Sequence, residues 1–289
     1  MDWLFEFPFV FKPNTAAIDK AVRGFAVQYS WFFEDIIKQG LTNFVNSIYW
    51  VLVHLPWFVL VGLVFFLGAR ARRNIRSGAL YAVMLCLVGV VGLWDLMNMT
   101  LSIVIAGVLI ALLLGLPIGI LISGSERANR IARPILDTMQ TMPVFVYLIP
   151  ALLFFGMGNA SAVIATVIYS IVPVIRLTSL GIRQVDKEVV EAAKSFGSTK
   201  WQALFKVQIP QALPTILTGV NQTIMMAMAM VVTGSMIGAR GIGNEVLIAV
   251  NRIEIGRGIV AGFSVVVLAV ILDRVTQGWF SKDAGKGGQ

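Results

Sequence analysis

Met99–Ser125 reads MTLSIVIAGVLIALLLGLPIGILISGS, 27 consecutive residues without a charged side chain. A helix of about 20 apolar residues spans the hydrocarbon core of a bilayer, so this stretch can cross with residues to spare. A second uncharged run, Thr138 to Ile175, covers 38 residues. Over the 289 residues, 57% are hydrophobic and 13% charged, and the mean hydropathy is +0.83. Soluble domains carry about 25% charged residues. A chain this short has no interior large enough for so much apolar surface, so a soluble globular protein is excluded. The reading is an all-α integral membrane protein, because helices satisfy their own backbone groups in lipid.

Apolar runs place seven spans at about 47–69, 78–97, 99–123, 139–156, 160–180, 214–238 and 258–276. Residues 15–39 differ. Ile18, Val22, Phe25, Tyr29, Phe32 and Ile36 recur every three or four positions, with Asp19, Lys20, Arg23, Glu34, Asp35 and Lys38 on the other face. That pattern predicts an amphipathic helix lying at the interface. The chain divides into four segments: 1–46 with the amphipathic helix, 47–98 with two peripheral spans, 99–278 as the core, and 279–289 as a tail. The first eleven residues, MDWLFEFPFVF, hold Asp2 and Glu6 and no basic residue. They lack the basic start of a signal peptide, so the spans themselves are expected to direct insertion.

The formal charge is +8. In a soluble chain this would suggest nucleic acid. Here the basic residues fall between spans: Arg70, Arg72, Arg73 and Arg76; Arg127, Arg130 and Arg133; Arg183, Lys187, Lys194, Lys200 and Lys206; and Lys282 and Lys286 in the tail. Alternating spans put all of these on one side, which the positive-inside rule makes cytoplasmic. The N-terminus then lies outside. No nucleic-acid partner is implied; anionic lipid is. The single cysteine, Cys86, cannot form an internal disulfide. The single histidine, His54, has no partners of metal-ligand spacing, so a structural hydrogen bond is expected of it.

One charged stretch interrupts the apolar sequence. Glu191–Pro210 reads EAAKSFGSTKWQALFKVQIP. Asp186 can cap a helix starting at Lys187, and Gly197 can end it in a left-handed conformation. Thr199 and Gln202 have capping-box spacing for a second helix. Pro210 and Pro214 are expected to break that second helix from the span beyond it. The reading is two short helices joined at Gly197, spanning about 186–210.

Glu191-Ala192-Ala193, three residues, Gly197, nine residues, Val207, one residue and Ile209-Pro210 together resemble the EAA motif of permeases of ATP-binding-cassette importers. Val207 and Ile209 stand where isoleucine and leucine are common. The segments Gln140–Asn159, Ile182–Gly197, Gly219–Val246 and Ile271–Gln277 are similar to the glycine betaine, proline betaine and choline branch of that family. The resemblance covers roughly 75–277. It implies a type I importer permease fold and a permease pathway working by alternating access. It also implies two permease chains, two copies of a separate ATPase holding ATP and magnesium, and an external substrate-binding protein. No G-x-x-x-x-G-K-[ST] loop is present, so this chain is expected to be neither the motor nor an enzyme and to carry no cofactor. A binding domain is expected on a separate chain, and the protein is expected in a bacterial plasma membrane.

The resemblance makes 186–210 the coupling hairpin. Glu191, Ala192, Ala193, Lys194, Phe196, Gly197 and Trp201 become the ATPase contacts. Polar and adaptable residues that could face a pathway are Gln140, Thr141, Pro143, Asn221, Gln222, Thr223 and Met225. Arg240, Glu245, Arg252 and Glu254, with Arg257 nearby, mark the 239–257 segment as a docking surface for the binding protein. Pro117, Pro143, Pro150 and Pro173 interrupt spans, and such breaks are tolerated where neighbours satisfy the freed carbonyls. Asp95 is read as the acidic residue within a span, at its shallow outer end. No aromatic cage for a quaternary ammonium group stands out, since Trp50, Trp57, Trp94 and Trp279 lie near span ends where aromatic belts form. Three rivals are weighed: a stand-alone secondary transporter or ion channel; a membrane-embedded enzyme, for which the sequence offers no paired carboxylates or histidine–acid cluster at membrane depth; and the same importer carrying another solute such as trimethylamine N-oxide.

Overall fold

A computed structural model describes residues 15–284, with side chains through Gly278. Trp279, the basic tail and the first eleven residues therefore lie outside the described side chains. All described regular structure is helical. In chain order it begins with α1 (Thr15–Gln28) and a π-turn (Trp31–Lys38) leading into α2 (Gln39–His54). The hairpin of α3 (Trp57–Arg72) and α4 (Ile75–Val90) comes next, then α5 (Trp94–Ser123), α6 (Glu126–Thr141), α7 (Val144–Phe155) and α8 (Asn159–Arg183). The polar hairpin is α9 (Lys187–Ser195) and α10 (Lys200–Ala203), which runs through a second π-turn (Leu204–Gln208) into α11 (Ile209–Ser235). Last come α12 (Ile242–Arg252) and α13 (Ile255–Ala284).

Four helices among the described residues are long and apolar enough to cross a membrane: α5, α8, Lys200–Ser235 and Ile255–Gly278. Two bent pairs raise the number to as many as six. The first and fourth spans expected from the sequence are these pairs. Trp31–His54 meets α3 at 96°, and α6 meets α7 at 96°. Both bends have one cause. Leu55 precedes Pro56 and Met142 precedes Pro143, and both adopt extended backbone, with ψ of 123° and 134°. Proline clashes with a helical residue before it, so the helix must stop there. Pro117, Pro150 and Pro173, by contrast, sit inside continuous helices. Segment 124–137, expected as a loop, belongs largely to α6. The second and third spans divide at Val91–Leu93, not at residue 98, because Gly92 turns the chain at φ +78°.

The core is α5, α8 and α11, with α13 against α11, α12 and α3, and α2 against α5 and α8. Lipid is as apolar as these side chains, so close packing must hold the helices together. Gly107, Ala111, Gly115 and Gly119 fall every fourth residue on the face of α5 that meets α8. A Cβ at Gly119 would stand 2.8 Å from the Ile175 carbonyl oxygen and 2.7 Å from Thr178 Cβ. Gly219 and Gly181 play the same part between α11 and α8. The ends of α5 and α8 at Ser123 and Arg183 lie beside the polar hairpin; we call this the hairpin end and the opposite one the far end. Gly278 packs on Ala71, which brings the basic α3–α4 turn to the hairpin end.

At the far end, Val45 of α2 is fully buried in the apolar cluster that holds Ile103, Ala106, Leu148, Ala162 and Val163. Phe33 stacks near Phe154 and Phe155 of α7, with ring centroids 4.7 and 5.7 Å apart, and Phe25 of α1 lies 6.3 Å from Phe154. The rest of the apolar face of α1, including Ile18 and Val22, stays exposed in the single chain.

Candidate functional site

The polar hairpin is fixed at each turn by its own side chains. Asp186 caps α9 by accepting the Glu188 N–H at 2.9 Å. Gly197 ends it at φ +86°. Its N–H donates to Lys194 O at 2.9 Å and the Ser198 N–H donates to Ala193 O at 3.1 Å, a Schellman closure. Both bonds of the Thr199–Gln202 capping box are present, at 2.8 and 3.3 Å. The second helix is not short, however. Ile209 N–H reaches back to Leu204 O, five residues earlier, and this π-turn carries α10 straight into α11. Pro210 directly follows this π-turn, whose five-residue bonding already interrupts the regular α-helical ladder there. The expected break at Pro210 and Pro214 is therefore absent, and Lys200–Ser235 is one continuous 36-residue helix.

All seven residues expected to touch an ATPase lie on this elbow. Phe196 is 92% exposed, Trp201 65% and Phe205 56%. The Trp201 and Phe205 rings stack 5.9 Å apart. Glu191, Ala192, Lys194 and Gly197 are exposed and Ala193 is half-buried. Beneath the elbow, Glu191, Lys194 and Trp201 join Ser123, Arg183 and Lys187 around a cavity of about 660 Å³. Exposed aromatic patches of this kind mark protein–protein or membrane contact sites.

The expected pathway residues do not share one cavity. Gln140, Thr141 and Pro143 are exposed at the corner between α6 and α7. On α11, successive residues turn to different neighbours. Gln222 and Met225 face outward, below them Thr218 and Pro214, while Thr223 is fully buried with its hydroxyl unpartnered. Asn221 turns to α13, where its amide nitrogen donates to Asp273 Oδ1 at 3.2 Å.

At the far end, Glu245 and Glu254 converge on Arg257, at 2.7 and 3.1 Å, and Arg252 lies 3.8 Å from Glu254. Arg240 stands apart; its backbone N–H donates to Asn159 Oδ1 at 2.8 Å. Between α12 and α13, Val250, Ile253 and Ile255 are 68%, 82% and 73% exposed. Ile253 adopts φ +58°, a conformation that a β-branched residue rarely takes. Asp95 lies in the first turn of α5 and accepts the Tyr49 hydroxyl proton at 2.5 Å. His54 Nδ1 lies 2.8 Å from Trp50 O, and no group of potential metal ligands occurs among the described residues.

Residues 111–281 match the family described as "Binding-protein-dependent transport system inner membrane component". The chain belongs to that family. This permease is 45% identical over 273 residues to the glycine betaine/carnitine transport permease protein GbuB of Listeria monocytogenes serotype 1/2a (strain 10403S), covering 93% of this chain and 96% of that one. It is 43% identical over 276 residues to the glycine betaine transport system permease protein OpuAB of Bacillus subtilis (strain 168), covering 95% and 97%. A more distant relative is the trimethylamine N-oxide transport system permease protein TmoV of Ruegeria pomeroyi (strain ATCC 700808 / DSM 15171 / DSS-3). It is 37% identical, over 79% of this chain and 34% of that one. Among solved structures, inward-facing conformations of the MetNI methionine ABC transporter share the fold, with a TM-score of 0.56 at 20% identity, covering 66% of this chain and 93% of that one. The permease is thus a multi-pass inner membrane protein of the type I importer fold, whose family works with an ATPase and a substrate-binding protein.

Sequence reading missed charged residues inside the spans of this permease. Asp273 lies within the expected seventh span, whereas Asp95 lies at the very start of α5. Arg176 of α8 pairs with Asp137 of α6, and two helical turns on Arg183 pairs with Glu126. The end of the long uncharged run at Ile175 was the signal for the first of these pairs.

Proposed function

We propose that this chain is the transmembrane permease subunit of an ATP-driven importer of quaternary ammonium osmolytes such as glycine betaine, proline betaine, carnitine or choline. The observation that carries the reading is the 45% identity to a glycine betaine/carnitine permease over 93% of this chain. Two permease copies form the pathway at their shared face, with two ATPase subunits on the cytoplasmic side and a binding protein outside. The α9–α10 hairpin and the C-terminus are cytoplasmic. Helices α5 to α13 are the permease core, α3 and α4 its peripheral pair, and α1 and α2 brace the far end of that core. The positive charge gathered at the hairpin end supports that orientation.

Within this assembly, Phe196, Trp201 and the small Ala192 and Ala193 fill a cleft in the ATPase, and Glu191 and Lys194 make polar contacts at its rim. ATP and magnesium, held by that partner, supply the energy by favouring one arrangement over the other. The permease's part is mechanical. Its elbow is capped at both ends, and its second arm is the same helix as α11, so a push on the hairpin moves a membrane-spanning helix as a rigid rod. Gln222 and Met225, with Gln140, Thr141 and Pro143, face the pathway between copies. The α12–α13 elbow, with Arg240, Arg252, Glu245 and Glu254, receives the binding protein.

The cargo test is calorimetric titration of the cognate binding protein with glycine betaine, carnitine, choline and trimethylamine N-oxide. Tightest binding of a carboxylated quaternary amine is expected. Preference for trimethylamine N-oxide would replace the cargo while leaving the importer in place. No binding of any of the four would overturn the substrate class.

A further inference from the structure

Asp273 lies toward the hairpin end of α13, roughly 27 Å from Ile255 at 1.5 Å per residue. Its side chain is only 16% exposed. Oδ1 accepts from Gln277 Nε2 at 2.6 Å on its own helix and from Asn221 Nδ2 at 3.2 Å on α11. The Thr276 hydroxyl lies 2.8 Å from Asn221 Oδ1 and shares its one proton between that oxygen and Leu272 O, 2.7 Å away on its own helix. Both polar atoms of the Asn221 side chain therefore face α13, one donating to Asp273 and the other within hydrogen-bond reach of Thr276. The nearest cation, Arg274 Nε, stands 3.7 Å from Oδ2, beyond hydrogen-bond reach.

A carboxylate largely shielded between two helices is costly to bury. Apolar side chains would pack the same contact at less cost. Hydrogen bonds between defined atoms add specificity of register to that packing by tying one turn to another. The tie joins two helices of particular standing. α11 is continuous with the hairpin, and α13 begins at the far-end elbow beside Glu254 and Arg257.

We propose that Asn221, Asp273 and Thr276 form a clamp that makes α13 follow α11, carrying hairpin movement to the α12–α13 elbow. Asp273 is then a positioning residue for transport. The proposal rests on the reading of the hairpin as the ATPase contact. Without the clamp, ATP still moves α11, but α13 slips, and hydrolysis proceeds without uptake.

The experiment uses the complete complex of permease, ATPase and binding protein in vesicles, in a Cys86→Ala background, with glycine betaine as cargo. Asn221→Cys/Thr276→Cys is assayed reduced, and again after copper-phenanthroline oxidation has closed a disulfide across the same contact. The reduced form should lower uptake per ATP hydrolysed by roughly tenfold, toward the lower end of the range for energetic coupling between sites, with hydrolysis retained. Oxidation should restore it in the same sample, which a folding defect would not permit. Asp273→Asn, which keeps a hydrogen-bonding group of the same size, should couple better than Asp273→Leu. Full coupling in the reduced double variant, or no recovery on oxidation, overturns the clamp. Failure of the two thiols to cross-link contradicts the contact itself. The Cys86→Ala parent separates the two layers: no ATP-driven uptake there overturns the proposed function and the clamp with it, whereas normal uptake by both parent and Asp273→Leu overturns the clamp alone.

Discussion

Gly197→Ala isolates the elbow of the hairpin. Gly197 adopts φ +86°, and a Cβ added there meets no atom within 4 Å. The substitution therefore brings no clash with neighbouring elements, only the intrinsic strain of an L-residue in the left-handed region, about 1–2 kcal/mol. The Schellman bonds from Gly197 and Ser198 oppose relaxation. If the elbow yields, the population of the capped conformer relative to open ones falls by about 5- to 30-fold, since 1.4 kcal/mol is a factor of ten. Apparent affinity for the ATPase falls by up to that factor, because only the competent conformer binds. Asparagine tolerates this region better than alanine. The expected order is therefore Gly197, then Gly197→Asn, then Gly197→Ala, in both ATPase affinity and uptake. Gly62→Ala, inside a helix with no atom within 4 Å of the added Cβ, is the control for an added methyl and should leave both unchanged. The assay is titration of purified ATPase onto detergent-solubilised permease, followed by uptake in vesicles. Wild-type affinity in Gly197→Ala, or a Gly197→Asn variant weaker than it, would refute the reasoning.

Other parts of the molecule give further tests. Ile253→Gly should relieve the strain at φ +58°, stabilise the protein by about 1 kcal/mol in thermal unfolding, and weaken binding-protein docking because an 82% exposed apolar contact is lost. Gly119→Ala should lower stability by about 1–3 kcal/mol through overpacking of α5 on α8, while Gly262→Ala, with open space around it, should be neutral or slightly stabilising. Glu191→Arg should leave insertion and thermal stability unchanged and reduce uptake per ATP hydrolysed, as measured in vesicles; unchanged coupling would remove Glu191 from the contact. Replacing Arg176 and Asp137 together should cost less stability than replacing either alone, since a single change leaves its charged partner unpaired.

Much of this architecture is legible in the sequence because its signals are local. Asp186, Gly197, Thr199 and Gln202 cap the hairpin where their spacing places them, since each cap depends on residues within one turn. The long spans α5 and α8 are evident from uncharged length, whereas the uncharged part of α13 is only Gly258–Leu272. The bends at Pro56 and Pro143 leave no trace in hydropathy, which continues through them. The opposite error arises at Pro210, where a π-turn, a backbone rearrangement with no side-chain signature, lets one helix run on. Polar residues 221–223 look like one group in sequence, yet each residue turns about 100° from the last at 3.6 residues per turn, so Asn221, Gln222 and Thr223 meet α13, open space and the core. Asp273 is concealed when spans are taken as uncharged runs: it sits near the end of an apolar stretch, and its partner Asn221 is 52 residues away.

The most direct test of the whole account is radiolabelled glycine betaine uptake into vesicles holding this permease, its ATPase and its binding protein, with each part omitted in turn. The account predicts accumulation that requires all three parts and ATP, and that collapses in Gly197→Ala. Accumulation by this chain alone, without ATP, would contradict it and make the protein a secondary carrier.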